Sequence, residues 1–538
     1  MNELCVERED FSSSAMNYNL ALPFYENSIV NSQALALFVG ETRFSYGELA
    51  TLARRISGWL AAKNGETSGK IGILASRTIE AYAGVLGTLW SGAAYVPINP
   101  QTPEDRLIRI LQMTQMDALI TDQAGLDMLS DRVLKYAPDR ILSGPEAKRS
   151  PCAREFPGIS FENFSQLGDN GSDKPTDVAE NALAYIIFTS GTTGTPKGVM
   201  IETGSVARFR RVVQDRCGFQ ATDRASQVAE LTFDNSVLDL FVTWAAGAGL
   251  YVVPASQLMA PAKFIRDHEL TIWFSVPSTA CIMERLKMLK PGAFPSLRCS
   301  IFAGEALPVA AARAWQIAAP NSVVENFYGP TEVTVDCIAQ RLEDPPNITR
   351  NRGCLAIGKP FSGIEAGIVD EDLKFLPADE EGELVVSGRQ VARGYFQDSD
   401  LTAARFPTLE GRRWYRTGDL AYQDSSGAFH HLGRIDNQVK ILGNRVELEE
   451  VEAHLREIVG TDLVAAVAWP LDDGRATGVV AFHCAPGVTR DEVREEMKKR
   501  VPGYMIPQQV HRLDALPLGT SGKIDRKALI RMLDAAKA

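Results

Sequence analysis

Between about residues 34 and 330 the chain alternates short apolar runs with longer stretches of helical period. That alternation limits the folds open to it more than any other feature. "ALALFVG" (34–40) precedes "YGELATLARRISGWLAA" (46–62), "KIGILAS" (70–76) precedes "TIEAYAGVLGTLWSG" (78–92), and "DALITD" (117–122) follows a further helical stretch. Such a pattern predicts an α/β fold of parallel-rich sheets sandwiched by helices, with ligands bound beyond the carboxyl ends of strands. Residues just after strands therefore carry the most functional weight.

From roughly 355 to 430 the helical signal thins into short strands and turns such as "GELVVSGRQ" (382–390), a β-rich subdomain. After "GRIDNQVK" (433–440) the order becomes helix, strands, helix and a basic tail. The 538 residues exceed what one hydrophobic core usually supports. The expected organisation is a large N-terminal domain over 1–435 and a small C-terminal α+β domain over 436–538. "SQLGDNGSDKPTDVAEN" (165–181) reads as a surface loop.

Composition excludes several function classes. With 56 basic and 67 acidic residues the formal charge is −11, which opposes non-specific binding to nucleic acid or an anionic membrane. The acidic N-terminus "MNELCVERED" lacks the basic region and apolar core of a secretory signal. The longest apolar run, "LFVTWAAGAGLYVVPA" (240–255), is shorter than the roughly 20 residues a membrane-spanning helix needs, and it is read as a buried strand with its turns. Eight Cys without a CxxC pair suggest neither a disulfide framework nor a zinc site, which points to a reducing, cytoplasmic compartment. The six His show no HExxH spacing.

The stretch richest in chemistry is "IIFTSGTTGTPKGVM" (186–200), with three Gly, four Thr, one Ser and one Lys behind an apolar strand. Gly-rich backbone can aim N–H groups at phosphate oxygens while a Lys adds charge. A Walker loop needs Gly immediately before its Lys and Ser or Thr after it, whereas here Pro196 and Gly198 flank Lys197. The alternatives are a phosphate cradle of another architecture and a plain Gly/Thr hairpin.

This run resembles the phosphate loop of the adenylate-forming superfamily, which includes acyl-CoA ligases, luciferases and the adenylation domains of nonribosomal peptide synthetases. Further motifs follow in the family's order: "FSYGEL" (44–49), "LWSGAAYVPINPQTPEDRL" (89–107), "NFYGPTE" (326–332), "YRTGDL" (415–420), "GRIDNQVK" (433–440), "PGYMIP" (502–507) and "LPLGTSGKIDRKAL" (516–529). The resemblance spans nearly the whole chain. It implies ATP as co-substrate and Mg²⁺ as cofactor.

By that resemblance Thr189, Ser190, Gly191, Thr192, Thr193 and Lys197 hold the β and γ phosphates, Tyr328 stacks on adenine and Asn326 contacts its edge. Thr331 touches the α-phosphate and Glu332 helps hold Mg²⁺, a hard cation suited to carboxylate oxygens. Asp419 accepts from the ribose hydroxyls, Arg434 contacts the ribose or phosphate side, and Asp436 matches the hinge of a mobile C-terminal domain. Lys523, in "TSGKID", bridges the substrate carboxylate and the α-phosphate. Read singly, Tyr328 is a packed aromatic, Glu332 a solvated acid, Asp419 a turn residue and Lys523 an exposed tail lysine.

"LTFDNSVLDLF" (231–241) separates subfamilies. In amino-acid-activating members the Asp of an FDxS motif pairs with the α-ammonium, here Asp234, whereas an acyl- or aryl-CoA ligase has no ammonium to bind. A helix-cap role for Asp234 is the alternative. Alignment with the segments that carry the resemblance implies further pocket positions at Asn235, Leu238, Ser275, Ile301, Ala303, Phe327, Val335 and Asp336. Mostly apolar with a bulky Phe327, they favour a small or medium side chain. Asn235, Ser275 and Asp336 leave open a hydroxyl, an amide, an amine, or an apolar group with bound water.

"IFAGEALP" (301–308) and "GNRVELEEVE" (443–452) are similar to D-alanine–carrier protein ligases and other free-standing enzymes. The chain ends about ten residues after "DRKAL", so the expected thioester acceptor is a phosphopantetheine-bearing carrier protein supplied in trans. The expectation is an AMP-forming amino-acid ligase. A D-alanine–carrier protein ligase is the nearer alternative and a CoA ligase the more distant one.

Overall fold

The structure, a computed structural model, describes residues 17–61, 69–145, 156–190, 196–441, 443–472, 475–517 and 524–537. Two large sheets dominate it. One has eight strands in the order Gly394–Tyr395, Lys197–Glu202, Leu183–Thr189, Ala94–Ile98, Lys70–Leu74, Ala118–Thr121, Arg140–Ser143 and Ser160–Asn163. The other has nine, and its parallel centre runs Val323–Tyr328, Cys299–Ala303, Ile272–Ser275, Arg224–Gln227, Gly249–Val252 and Leu35–Val39. Antiparallel strands close its edges. The α/β sandwich read from the alternation is the fold observed.

Sequence explains how the layers meet. Helix Ile79–Trp90 is apolar all round, and every residue from Ala81 to Trp90 is buried, as expected of a helix enclosed on all sides. Its Gly87 lets helix Tyr46–Ala61 come close, since a Cβ there would lie 2.5 Å from the Ile56 side chain. One continuous core joins both sheets through residues such as Ile73, Tyr95, Leu250 and Ile301. A second core, built on Trp273, Phe302 and Trp315, covers the other face of the nine-stranded sheet.

An antiparallel sheet follows, comprising Ile364–Val369, Gly382–Gly388, Thr408–Leu409, Arg412–Gln423 and Phe429–Arg434. The chain then enters the hairpin Gln438–Ile441 and Asn444–Glu447, helix Leu448–Val459, and a three-stranded sheet of Val464–Ala468, Val479–His483 and Gln509–Arg512. This last part has its own core around Val446, Leu455, Val464 and Met497. The change of sheet falls between Arg434 and Gln438, with Asp436 in the connection. Arg106 and Glu450 pair at 2.6 Å across the junction, both side chains buried.

One expectation is corrected. The run 240–255 is not one strand with its turns. Leu238–Val242 forms a π-helical turn and Thr243–Ala245 continues as helix, and only Gly249–Val252 is a strand. The helix is buried on all sides, with Trp244 Nε1 donating to the Ala36 carbonyl at 2.9 Å, so it carries no amphipathic period to distinguish it from a buried strand.

Among the described residues no helix is long and apolar enough to cross a membrane.

Candidate active site

A cavity of about 600 Å³ opens between the strand ends of the N-terminal domain and the hairpin Gln438–Glu447. The strands that flank the Gly/Thr run, Leu183–Thr189 and Lys197–Glu202, pair antiparallel, with Thr189 opposite Lys197. A Walker loop leads into a helix, so the topology agrees with the rejection of that reading. Thr189 and Ser190 line the cavity. Gly191, Thr192, Thr193 and Lys523 lie outside the described residues.

On one side the cavity is lined by paired polar groups centred on Asp419. Asp419 accepts from Arg434 Nη1 at 2.9 Å and from the Tyr328 hydroxyl, and His431 Nε2 stands 3.3 Å away. Burial raises its pKa, but the His431 contact and the Arg434 charge outweigh burial and hold the carboxyl below the ordinary aspartate range. Arg434 is fixed by both oxygens of Asp436, at 2.8 and 2.7 Å. Asn326 donates through Nδ2 to the Ala356 carbonyl at 2.9 Å, which fixes its amide orientation and leaves Oδ1 buried without a partner. An exocyclic amine such as adenine's would satisfy that acceptor. Asp419→Asn is expected to raise the KM for ATP roughly 10- to 100-fold, the worth of hydrogen bonds to a charged group. Initial rates at varied ATP check it.

Asp234 stands at the start of helix Asn235–Val237, yet its side chain makes no capping bond. Its carboxyl lies beside the Thr331 hydroxyl instead, and both residues line the cavity. The helix-cap alternative thereby loses its support. Burial pushes the Asp234 carboxyl up to about 6, with the neighbouring Thr331 hydroxyl, Lys440 and Arg445 opposing and Glu332 adding to the rise. Pairing with an ammonium requires the ionised form, which is depleted below that pKa. The kcat/KM for an amino-acid substrate should therefore fall about tenfold per pH unit below about 6. The depressed Asp419 stays ionised there, so KM for ATP should stay level through the same titration.

Of the other pocket positions, Asn235, Ser275, Phe327 and Asp336 line the cavity. Leu238, Ile301, Ala303 and Val335 do not; they are buried in the joint core behind its wall. Ser275 needs no partner from a ligand, because its hydroxyl accepts from Trp273 Nε1 at 2.9 Å and donates to the Val276 carbonyl at 3.2 Å.

The hairpin supplies groups that motif reading missed. Lys440 and Arg445 are directly paired across its strands, as are Gln438 and Glu447. Arg445 Nη1 meets Glu332 Oε2 at 2.8 Å, Lys197 Nζ meets Glu447 Oε1 at 3.0 Å, and Gly443 N–H donates to Glu305 at 2.7 Å. Tyr395 donates to the other Glu332 oxygen at 2.8 Å. Burial alone would raise Glu332, but Arg445, Lys197 and Tyr395 outweigh it and hold the carboxyl at about 2. Glu332 is thus an ionised carboxylate whose oxygens suit Mg²⁺ in kind, with both of them taken in this arrangement by Arg445 and Tyr395. Lys440 stands in the cavity, where surrounding protein lowers its pKa and the acids Asp419, Glu305 and Asp234 oppose that shift.

Two helix-covered sheets and a small C-terminal domain thus enclose a cavity lined by carboxylates, hydroxyls and cationic side chains. The model of the AMP-binding enzyme family matches residues 25–396, and the chain belongs to that family. It is 33% identical over 517 residues to tyrocidine synthase 1 of Brevibacillus parabrevis, across 94% of this chain and 44% of that protein. It is 35% identical over 503 residues to tyrocidine synthase 2 of the same organism, across 92% of this chain and 13% of that one. The chain thus spans less than half the length of these curated relatives. Among solved structures, the Vibrio cholerae adenylation domain AlmE in complex with glycyl-adenosine-5'-phosphate matches with a TM-score of 0.87 and 30% identity, covering 98% of this chain and 99% of that one. The resemblance carried by the motifs is borne out.

Proposed function

We propose that the protein activates an amino acid with ATP, forming an aminoacyl-adenylate and pyrophosphate, and passes the aminoacyl group to the phosphopantetheine thiol of a separate carrier protein. The observation that carries this reading is the enclosure of Asp234 beside Thr331. It joins a carboxylate suited to an ammonium with a hydroxyl suited to a phosphate, inside one cavity. An acid lacking an amine would leave Asp234 enclosed and unpaired, which is costly. The glycyl-adenylate held by AlmE supports the same chemistry.

In the first step a substrate carboxylate oxygen attacks the α-phosphorus, the bond to the bridging β-oxygen breaks, and pyrophosphate leaves. Asp234 orients the ammonium, Thr331 faces the α-phosphate, and Asp419 with Arg434 holds the ribose. Tyr328 and Asn326 take the adenine. Thr189, Ser190 and Lys197, with Gly191, Thr192 and Thr193, hold the departing phosphates. Glu332 would hold Mg²⁺, which when bound neutralises phosphate charge. Lys523 is assigned to the charge developing between carboxylate and α-phosphate.

In the second step the thiol attacks the adenylate carbonyl and AMP leaves. With Lys197 held by Glu447 and Glu332 held by Arg445, the described arrangement withholds two groups the first step needs. That arrangement suits the molecule after pyrophosphate has left, and the first step requires the C-terminal domain, turning about Asp436, to release both pairs. Lys440 then serves transfer alone. Lys440→Ala should leave ATP–pyrophosphate exchange within about twofold of wild type while slowing single-turnover aminoacyl transfer at least about tenfold. An equal loss in both assays would contradict that division.

The overall reading is tested by incubating the protein with ATP, an activating amino acid and a phosphopantetheinylated carrier protein. Intact mass should show the carrier gaining one aminoacyl group, with AMP accumulating. Aminoacylation of free coenzyme A in preference to every carrier would overturn the acceptor assignment.

A further inference from the structure

Resting on amino-acid activation at Asp234, we infer that the substrate carries a second cationic nitrogen on its side chain, held by the carboxylate of Asp336. Asp336 lines the cavity and is only 1% exposed, and its Oδ2 has no hydrogen-bond partner. A carboxylate enclosed in this way is costly unless something pairs with it.

Its position is fixed by the protein. Gln390 Nε2 donates to the Asp336 carbonyl at 3.0 Å, and the next residue, Cys337, donates its N–H to the Tyr328 carbonyl at 2.8 Å. Gly329 lies so close that a Cβ there would be 2.4 Å from the Asp336 Cα. The side chain therefore cannot withdraw to solvent by a backbone shift. The walls around it offer no compensation, since Phe327 is apolar and Ser275 is satisfied internally. The charged groups facing it are Asp234, which repels, and Lys440, which attracts; neither hydrogen-bonds to it.

Asp234 and Asp336 are thus two carboxylates sharing one cavity, and the α-ammonium can neutralise only one of them. A side-chain amine or guanidinium neutralises the second. Burial and Asp234 favour the protonated form of Asp336 in the empty cavity, so binding such a cation would release a proton. A neutral polar side chain would hydrogen-bond the protonated carboxyl without forming an ion pair, and an apolar one would leave it unpaired.

The test is amino-acid-dependent ATP–pyrophosphate exchange with 2,3-diaminopropionate, 2,4-diaminobutyrate, ornithine, lysine and arginine. Each is run against neutral analogues of matched length, including hydroxyl and amide side chains. The expected result is that one cationic amino acid exceeds its neutral analogue in kcat/KM by about 100-fold or more, as sites built around a polar partner do. Asp336→Asn should collapse that ratio to within about tenfold. A preference of the wild-type protein for a hydroxyl, amide or apolar side chain would overturn the inference while leaving amino-acid activation standing. So would an unchanged ratio in Asp336→Asn. If that variant is inactive on every substrate, the wild-type ratios alone decide. Exchange stimulated by no amino acid would overturn both readings.

Discussion

Asp234→Ala is expected to lower amino-acid-dependent ATP–pyrophosphate exchange by about 100-fold or more, chiefly through the KM for the amino acid. Removing one partner of an enclosed ion pair costs about 3–5 kcal/mol, and each 1.4 kcal/mol is a factor of ten. The KM for ATP should change little, because Asp419, Arg434 and Tyr328 hold one another independently of Asp234. Stability separates this from misfolding. The folded pKa of Asp234 is raised to about 6, so the enclosed charge opposes folding above that pH and its cost is absent below the ordinary aspartate pKa. Thermal denaturation at pH 8 should therefore show the variant melting no lower than wild type. Full exchange activity in Asp234→Ala would sink the ammonium-pairing role.

The second large effect concerns Lys523. Lys523→Ala should reduce adenylate formation by about 10²- to 10³-fold, the usual loss when one preorganised donor to developing charge is removed. Transfer from a chemically prepared aminoacyl-adenylate to the carrier should be nearly unaffected, since no charge then develops at the α-phosphate from an attacking carboxylate. Lys440→Ala is expected to show the reverse pattern. Together the two lysines would divide the half-reactions between the ends of the C-terminal domain. If Lys523→Ala slowed both steps equally, the assignment to the first step would fail.

How much of this was legible in the sequence depends on where each group sits. Strand–helix alternation gave the sandwich because each apolar run lies on a sheet covered by helices. Thr331, Tyr328 and Asn326 were readable because one unbroken motif sets them at the end of strand Val323–Tyr328 and on the loop that follows it. Leu238, Ile301, Ala303 and Val335 were placed in the pocket by alignment alone, and packing turned them into the core. Lys440, Arg445 and Glu447 were missed for a different reason. In "QVKILGNRVEL" the apolar residues Val439, Ile441 and Val446 alternate with polar ones, which in an isolated hairpin means one buried and one solvated face. Here the polar face meets the cavity of another domain, a contact between distant segments that local pattern cannot encode. The buried helix over 238–245 escaped because, enclosed on every side, it has no polar face to set its period.

The central claim is tested most directly by ATP–pyrophosphate exchange of the wild-type protein across amino acids and their des-amino counterparts. The account predicts that at least one amino acid stimulates exchange and that the carboxylic acid of identical skeleton lacking the α-amine does not. Stimulation by simple carboxylic acids, with no response to any amino acid, would contradict it.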